Sequence, residues 1–83
     1  MKKCDGVHTA TCPGGAVLMD VERGVMFDVN AAGAMLWAEL DGRSSEQLVE
    51  ILRRRYPTAP RDVIARDVHA FLETVSAKGL IEL

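Results

Sequence analysis

Apolar and polar residues alternate along the first third of the chain, which is the period of a half-buried β-strand. In the second alternating segment, Val17, Met19 and Val21 share one face. Gly24 can adopt a positive φ in the tight turn that precedes the third segment. Together the segments predict a three-stranded antiparallel meander, with strands over residues 7–12, 16–21 and 25–29.

Helical spacing replaces this alternation after Asn30, a residue type that often caps helices. The first predicted helix covers residues 30–41 and stops at a glycine. Ser44 and Gln47 have the spacing of a capping box and begin a second helix. A third helix is predicted over residues 60–78, because proline is favoured at its start and a glycine follows its end.

The two chain ends are less regular. Residues 1–6 show no period and are expected to be flexible, whereas the apolar residues 80–83 are expected to fold back onto the core. No linker divides the chain, so we predict a single domain over residues 1–83. The predicted fold class is α+β, with a three-stranded antiparallel sheet followed by three helices in an arrangement like a winged helix-turn-helix.

The third predicted helix carries two stripes of residues at helical spacing. The main stripe is apolar and consists of Ile64, Val68, Phe71, Leu72 and Val75. The flanking stripe has small or mixed residues, namely Val63, Asp67, Ala70 and Thr74. A helix that only packs against a core needs the first stripe, so the second indicates a surface with room for another element.

Charge and hydropathy exclude several classes of protein. The formal net charge of -2 gives no long-range attraction to nucleic acid or to anionic membranes. No apolar run approaches the ~20 residues that span a bilayer. The first residues also lack the apolar core of a signal peptide. We therefore expect a cytoplasmic protein that contacts neither nucleic acid nor membrane.

The residues that could carry chemistry do not form a catalytic set. His69 has no serine or cysteine nucleophile evident beside it, and the chain has neither a G-x-S-x-G motif nor a phosphate-binding glycine loop. Cys4, His8 and Cys12 fall four residues apart, which is about 13 Å on a strand and too far for ligands of one metal ion. We expect no enzyme activity, no metal site and no cofactor.

The third predicted strand contains neither proline nor lysine, which are residues that often blunt a sheet edge. If this strand is an edge, its backbone can accept an added peptide strand, and the flanking stripe of the third helix can supply one wall. Other readings remain open at this point. The C-terminal tail or a homodimer partner could cover the edge, or the fold could bind DNA, although the third helix carries mixed rather than basic charge.

The order of these segments resembles the PqqD-like family, the recognition element for leader peptides of ribosomally made and modified peptides. The resemblance covers LMDVERGVMFDVNAAGAMLWAELDG and, after a helix, DVHAFLETVSAKGLIEL, from about Ala16 to Leu83. Its most specific pieces are the strand ending in Val29-Asn30, the Trp37 helix ending in Asp41-Gly42, and parts of residues 67–81.

The resemblance implies that a leader peptide binds as an extra strand beside the third strand, in a groove against the third helix. It implies no cofactor. Carried over position by position, the implied peptide-binding residues are Val25, Met26, Phe27, Asp28, Val29, Val63, Asp67, Val68, Ala70, Phe71 and Thr74.

Within the family, the chain looks closest to the small stand-alone proteins of lasso-peptide biosynthesis. That likeness implies a non-catalytic adaptor, which binds a leader motif containing a tyrosine, a proline and a leucine. It also implies that the adaptor presents the precursor to a transglutaminase-like leader peptidase of the same pathway, before a cyclase closes the ring. A winged-helix DNA-binding protein is the alternative.

Overall fold

Glycines with positive φ allow three strands to follow one another as hairpins. The computed structural model of the protein describes residues 1–82, so Leu83, which the predicted domain and tail include, lies outside the described residues. Gly14 and Gly24 have φ of 78° and 71° in the two hairpin turns, a conformation that other residues rarely adopt. The elements are β1 (Lys2–Lys3), β2 (Val7–Cys12), β3 (Gly15–Asp20), β4 (Val25–Asn30), α1 (Ala31–Glu39), α2 (Ser45–Arg55), α3 (Arg61–Ala77) and β5 (Ile81–Glu82).

The main sheet is antiparallel, with the strand order β2-β3-β4. Its register places Leu18, at the centre of β3, opposite Thr9 of β2 and Phe27 of β4. Three helices follow the sheet in the chain, so the predicted α+β architecture is confirmed. The bounds differ slightly, since α1 ends at Glu39 rather than Asp41. No helix within residues 1–82 is long and apolar enough to cross a membrane.

The sheet buries the face of β3 opposite to the one that carries Val17 and Met19. Val17 and Met19 lie on the outer face, and Val21 lies in the following turn with 75% of its surface exposed. Both faces of β3 are mostly apolar, so a period of two cannot tell which face is covered by helices. The residues of β3 that are buried are Ala16, Leu18 and Asp20.

Side-chain caps begin α1 and α2 as predicted. The Asn30 side-chain carbonyl accepts a hydrogen bond from the Gly33 N–H at 2.8 Å. The Ser44 hydroxyl accepts from the Gln47 N–H at 3.2 Å, and the Gln47 side chain accepts from the Ser44 N–H at 2.9 Å. These reciprocal bonds satisfy N–H groups that have no partner inside the helix. Pro60 precedes α3 and provides no side-chain cap.

One cluster of buried apolar side chains joins the sheet to the three helices. From α1, Leu36 and Trp37 enter this cluster beside Leu18 of the sheet. The Trp37 indole N–H donates to the Thr9 hydroxyl at 3.0 Å, which satisfies the polar group of this large side chain. The remaining members are Leu40, Leu48, Val49, Leu52, Ile64, Val68, Leu72, Val75, Leu80 and Ile81.

The two ends of the described chain pair with each other as the short strands β1 and β5. The Cys4 N–H donates to the Leu80 carbonyl at 2.9 Å, and the Lys3 N–H donates to the Asp41 carboxylate at 2.8 Å. The expectation that residues 1–6 are flexible is therefore wrong for this strand, because its partners are far away in the sequence and leave no local period. The expectation that the C-terminal residues fold back is confirmed for Leu80 and Ile81, which are buried.

Candidate functional site

Strand β4 is an edge of the main sheet within the described residues, because only β3 pairs with it. In an antiparallel sheet, alternate residues of an edge strand direct both N–H and C=O away from the neighbouring strand. Val25, Phe27 and Val29 point inward and are half-buried, whereas Met26 and Asp28 are exposed on the outer face. The strand therefore offers free backbone groups beside apolar side chains.

Helix α3 lies across from β4 and runs in the opposite direction. At one end of the pair, the Lys78 ammonium lies 5.2 Å from the centre of the Phe27 ring. At the other end, Asn30 and Asp67 line a common depression. A groove of about 330 Å³ separates the two elements. Its lining consists of Phe27, Asp28, Val29, Asn30, Ala32, Gly33, Leu36, Leu52, Asp67, Ala70 and Phe71.

Gly33 of α1 lets three elements approach one another at this groove. A Cβ atom at this position would lie 3.0 Å from the Val29 Cβ and 3.5 Å from Cε1 of Phe71. Glycine in a helix interior costs roughly 1 kcal/mol relative to alanine, so its presence in α1 calls for a packing reason. Contact with both walls of the groove supplies that reason. Sequence reasoning did not assign Gly33 to the site, although an unexplained helical glycine was an available signal.

Two further depressions along α3 share lining residues with the groove. Toward the start of α3, a depression of about 460 Å³ shares Asn30, Ala32, Leu52 and Asp67 with it. This depression is mainly apolar, and its other lining residues are Gly14, Ala31, Tyr56, Ala59, Val63 and Ile64. Toward the end of α3, a shallower depression shares Ala70 and is completed by Glu73, Thr74, Ala77 and Lys78. Together they form a continuous strip beside the open strand.

Most of the predicted site residues come together on this strip. Those that line it are Phe27, Asp28, Val29, Val63, Asp67, Ala70, Phe71 and Thr74. Three others do not line it. Val25 is half-buried, Met26 faces outward, and Val68 is fully buried at 0% exposure in the core. One step along a helix turns a side chain by about 100°, so Val68 points to the core although Asp67 borders the groove.

Tyr56 and Ala59 were not anticipated as lining residues. They lie in the segment between α2 and α3, and their position depends on how those two helices pack. No local pattern in the sequence reports that packing. The flanking stripe of α3 was visible because a helix fixes the relative directions of its own side chains.

The charges along the strip are unevenly distributed. Asp67 borders the groove from α3 and belongs to no ion pair among the described residues. Asp28 borders the groove as part of β4, but its side chain is on the outer face of the sheet. Lys78 lies at the end near the start of β4. The α3 wall of the groove is therefore acidic at Asp67 and cationic at Lys78.

An ion pair stands beside that cationic end. The Arg23 guanidinium lies 2.7 Å from the Asp20 carboxylate, and the Arg23 backbone N–H also donates to this carboxylate at 3.2 Å. The side-chain hydrogen bond from Arg23, followed by the backbone bond, lowers the pKa of Asp20 below its ordinary value, although burial opposes this shift. Asp20 is therefore ionised at neutral pH and keeps the turn between β3 and β4 closed.

Comparison with known proteins agrees with this geometry. The family model of coenzyme PQQ synthesis protein D (PqqD) matches residues 15–81. The chain belongs to the PqqD family. The family prediction is thus confirmed, and the match includes the main sheet from β3 onward and all three helices. No curated protein sequence matches the chain.

Two solved structures share the fold of this PqqD-family chain. The structure of TbiB1 in complex with the TbiA(beta) leader peptide is 30% identical, with a TM-score of 0.85, and the alignment covers 99% of this chain and 95% of that one. A lasso peptide synthetase B1 complexed with the leader peptide is 24% identical, with a TM-score of 0.79 and coverage of 95% and 93%. The second likeness shows the fold alone. Neither comparison supports the DNA-binding alternative.

Replacing Asp20 with Asn should change how stability depends on pH. The folded-state pKa of Asp20 is lowered, so its contribution to stability is present above the unfolded pKa of about 3.9 and is lost as the pH falls through the folded-state pKa. Urea unfolding should therefore show a steeper loss below about pH 4 for the wild type than for Asp20→Asn. Asp5→Asn, at an exposed position, serves as the control and should follow the wild type. Equal slopes for Asp20→Asn and the wild type would contradict this role.

Proposed function

We propose that this protein is a non-catalytic adaptor that binds the leader peptide of a ribosomally made precursor, in the biosynthesis of a lasso peptide. The observation that carries the proposal is the open edge of β4 beside the groove against α3. The likeness to TbiB1, which is described in complex with a leader peptide, supports the same function. Membership of the PqqD family agrees with a binding role.

In the proposed complex the leader adds a strand to β4 antiparallel or parallel to it, through main-chain hydrogen bonds. Alternate side chains of the peptide then point into the groove between β4 and α3, because side chains alternate between the two faces of a strand. The mainly apolar depression near Tyr56 and Val63 would receive an apolar side chain of the peptide. The walls exist before binding, which reduces the ordering cost that binding must overcome.

The groove supports binding better than catalysis. The polar side chains that border it are Asp67 and Asn30, and Asn30 already caps α1. A nucleophile would need a base within hydrogen-bond reach, and the lining contains no serine, cysteine, histidine or lysine. The apolar remainder instead suits peptide side chains. We therefore propose no chemical step at this site.

The outer face of the sheet offers a second surface. It is formed by three cross-strand rows, His8–Met19–Met26, Ala10–Val17–Asp28 and Cys12–Gly15–Asn30. Met26 is 68% exposed there, and the face contains no lysine or arginine. Val17, Met19 and Met26 form an apolar patch on this face beside the polar His8 and Asp28, and an exposed apolar patch is a common feature of protein interfaces.

We propose that a transglutaminase-like leader peptidase of the same pathway docks on this outer face. Three strands of six residues cover only roughly 300 Å², from a spacing of about 4.8 Å and a rise of about 3.3 Å. A stable interface uses about 800 Å² on each partner. A leader strand added to β4 would enlarge the face with its own outward side chains. The peptidase would then bind the loaded adaptor in preference to the empty one.

Filling the groove should weaken leader binding. Ala70→Trp adds a bulky side chain at a position that lines two parts of the strip. We expect the Kd for the leader peptide of the precursor encoded beside this protein to rise at least about tenfold, the equivalent of 1.4 kcal/mol. Fluorescence polarisation of the labelled leader measures this change. Ala38→Trp is the matched control, because Ala38 is exposed on α1 and lines no part of the strip. Unchanged binding by folded Ala70→Trp would contradict the proposed site.

Strand addition should slow amide exchange in β4. We expect alternate amide protons within β4 to become protected when the leader is added, because only alternate N–H groups of an edge strand are free. Hydrogen exchange followed by NMR distinguishes the residues. The internal control is β2, the other edge of the same sheet, whose exchange should not change. Saturable binding without protection in β4 would show that the leader binds in another way.

A charge on the outer face should slow cleavage of the precursor by the peptidase without weakening leader binding. Met26→Lys is expected to leave the leader Kd close to that of the wild type, because this side chain points away from the groove. It should slow cleavage of the precursor by the peptidase, since a lysine must be desolvated in an apolar interface. Ala38→Lys adds the same charge at an exposed helix position. With this variant, the peptidase should cleave the precursor at the wild-type rate. Equal cleavage rates for all three proteins would exclude docking at Met26.

A further inference from the structure

Arg23 connects the two walls of the groove without lining it. It lies in the turn that follows β3 and leads into β4, the first wall. Its Nε atom donates to the Asp20 carboxylate at 2.7 Å, and its Nη2 atom donates to the Gly79 carbonyl at 2.6 Å. Gly79 follows the last turn of α3, the second wall. One guanidinium therefore bonds at the same time to the end of β3, where Asp20 pairs with Val25 of β4, and to the end of α3.

The acceptors hold this guanidinium in one orientation. The Asp20 side chain is only 9% exposed, so its charge is poorly hydrated and depends on Arg23 for compensation. The Arg23 backbone N–H bonds the same carboxylate, which fixes the turn as well as the side chain. Arginine is suited to this task because its planar fork offers separate N–H groups in fixed directions, whereas lysine offers a single ammonium.

Gly79 is in direct contact with the guanidinium. A Cβ atom at this position would lie 2.5 Å from Nη1 of Arg23, and the backbone has a φ of 72°, which favours glycine. A side chain at position 79 would therefore have to displace the guanidinium. At the same end of the groove, Lys78 lies over the Phe27 ring and makes a second, weaker contact between the walls.

We infer that Arg23 is a positioning residue for leader binding, which sets the distance and alignment between β4 and the end of α3. The inference rests on the proposed function. A peptide strand must bond β4 and place its side chains against α3 at the same time, so both walls have to be correctly spaced. Loss of Arg23 frees the end of α3 from the turn and weakens this fit, although no contact with the peptide is removed.

The test compares Arg23→Met and Arg23→Lys with Arg43→Met. Arg43 is a close match, since it pairs with Glu39 at 3.0 Å and its side chain is 42% exposed, against 48% for Arg23. We expect both Arg23 variants to raise the leader Kd by about tenfold, within the range of changes that act from a distance. Arg43→Met should bind like the wild type. Binding of the labelled leader and urea unfolding are measured on each protein.

Arg23→Lys separates positioning from direct attraction to the peptide. If Arg23 acted as a charge on the peptide, the lysine variant would bind like the wild type, and that result would overturn the inference. Amide NMR of the free proteins adds a measurement that does not respond to a loss of stability alone. Both Arg23 variants should shift Gly79 and the residues of β4 before any peptide is added, and unchanged amide positions there would also overturn the inference.

Two further controls keep the test decisive. Val49→Ala truncates a buried core side chain that lines no part of the groove. It should lower the stability about as much as the Arg23 variants do, and should leave the leader Kd unchanged. If Arg23→Met does not fold, Asp20→Asn loosens the same contact more mildly and should still weaken binding. A wild type that does not bind the leader at all refutes the proposed function. A wild type that binds, with Arg23 variants that bind equally well, refutes only the positioning role.

Discussion

The separation between β4 and α3 is the constraint on which the rest of the structure depends. Helix α1 keeps these elements apart, since its Leu36 and Trp37 fill the core beneath the sheet while Gly33 brings its backbone against Val29 and Phe71. If residue 33 carried a side chain, β4 or α3 would have to move. Contact of Gly33 with Val29 and Phe71 therefore links the position of β4 to the position of α3 through α1.

The two ends of the groove differ in the kind of interaction that they provide. Near the start of α3 the lining is apolar and wide, with Tyr56, Ala59 and Val63. Near the end of α3 the walls are tied by hydrogen bonds and by charge, through Arg23 and Lys78. Apolar burial provides affinity without demanding a fixed direction, whereas charge-assisted hydrogen bonds are directional. The end of the groove near the start of α3 therefore suits apolar binding of the peptide, and the other end suits alignment of the two walls.

The sequence predicted the parts of the fold that local rules determine. The hairpins, the caps at Asn30 and Ser44 and the two stripes of α3 all depend on neighbours within a few residues. The resemblance to the PqqD-like family placed the predicted site on the flanking face of α3 and on the third strand, and both border the groove. Three features were out of reach because they depend on distant partners. They are the pairing of β1 with β5, the burial of Leu18 rather than Val17, and the contributions of Gly33 and Tyr56 to the groove.

Among the strands formed by residues 1–82, the main sheet has a second unpaired edge at β2, which also lacks lysine and proline between Val7 and Cys12. A sheet with two unpaired edges is a potential monomer for linear polymerisation, because each added copy presents a new edge for the next. A ligand strand on β4 removes one of the two growing ends. A leader peptide bound to β4 would therefore block growth of the polymer at that edge. The molar ratio of adaptor to precursor would then control polymerisation as well as the fraction of adaptor that carries a peptide.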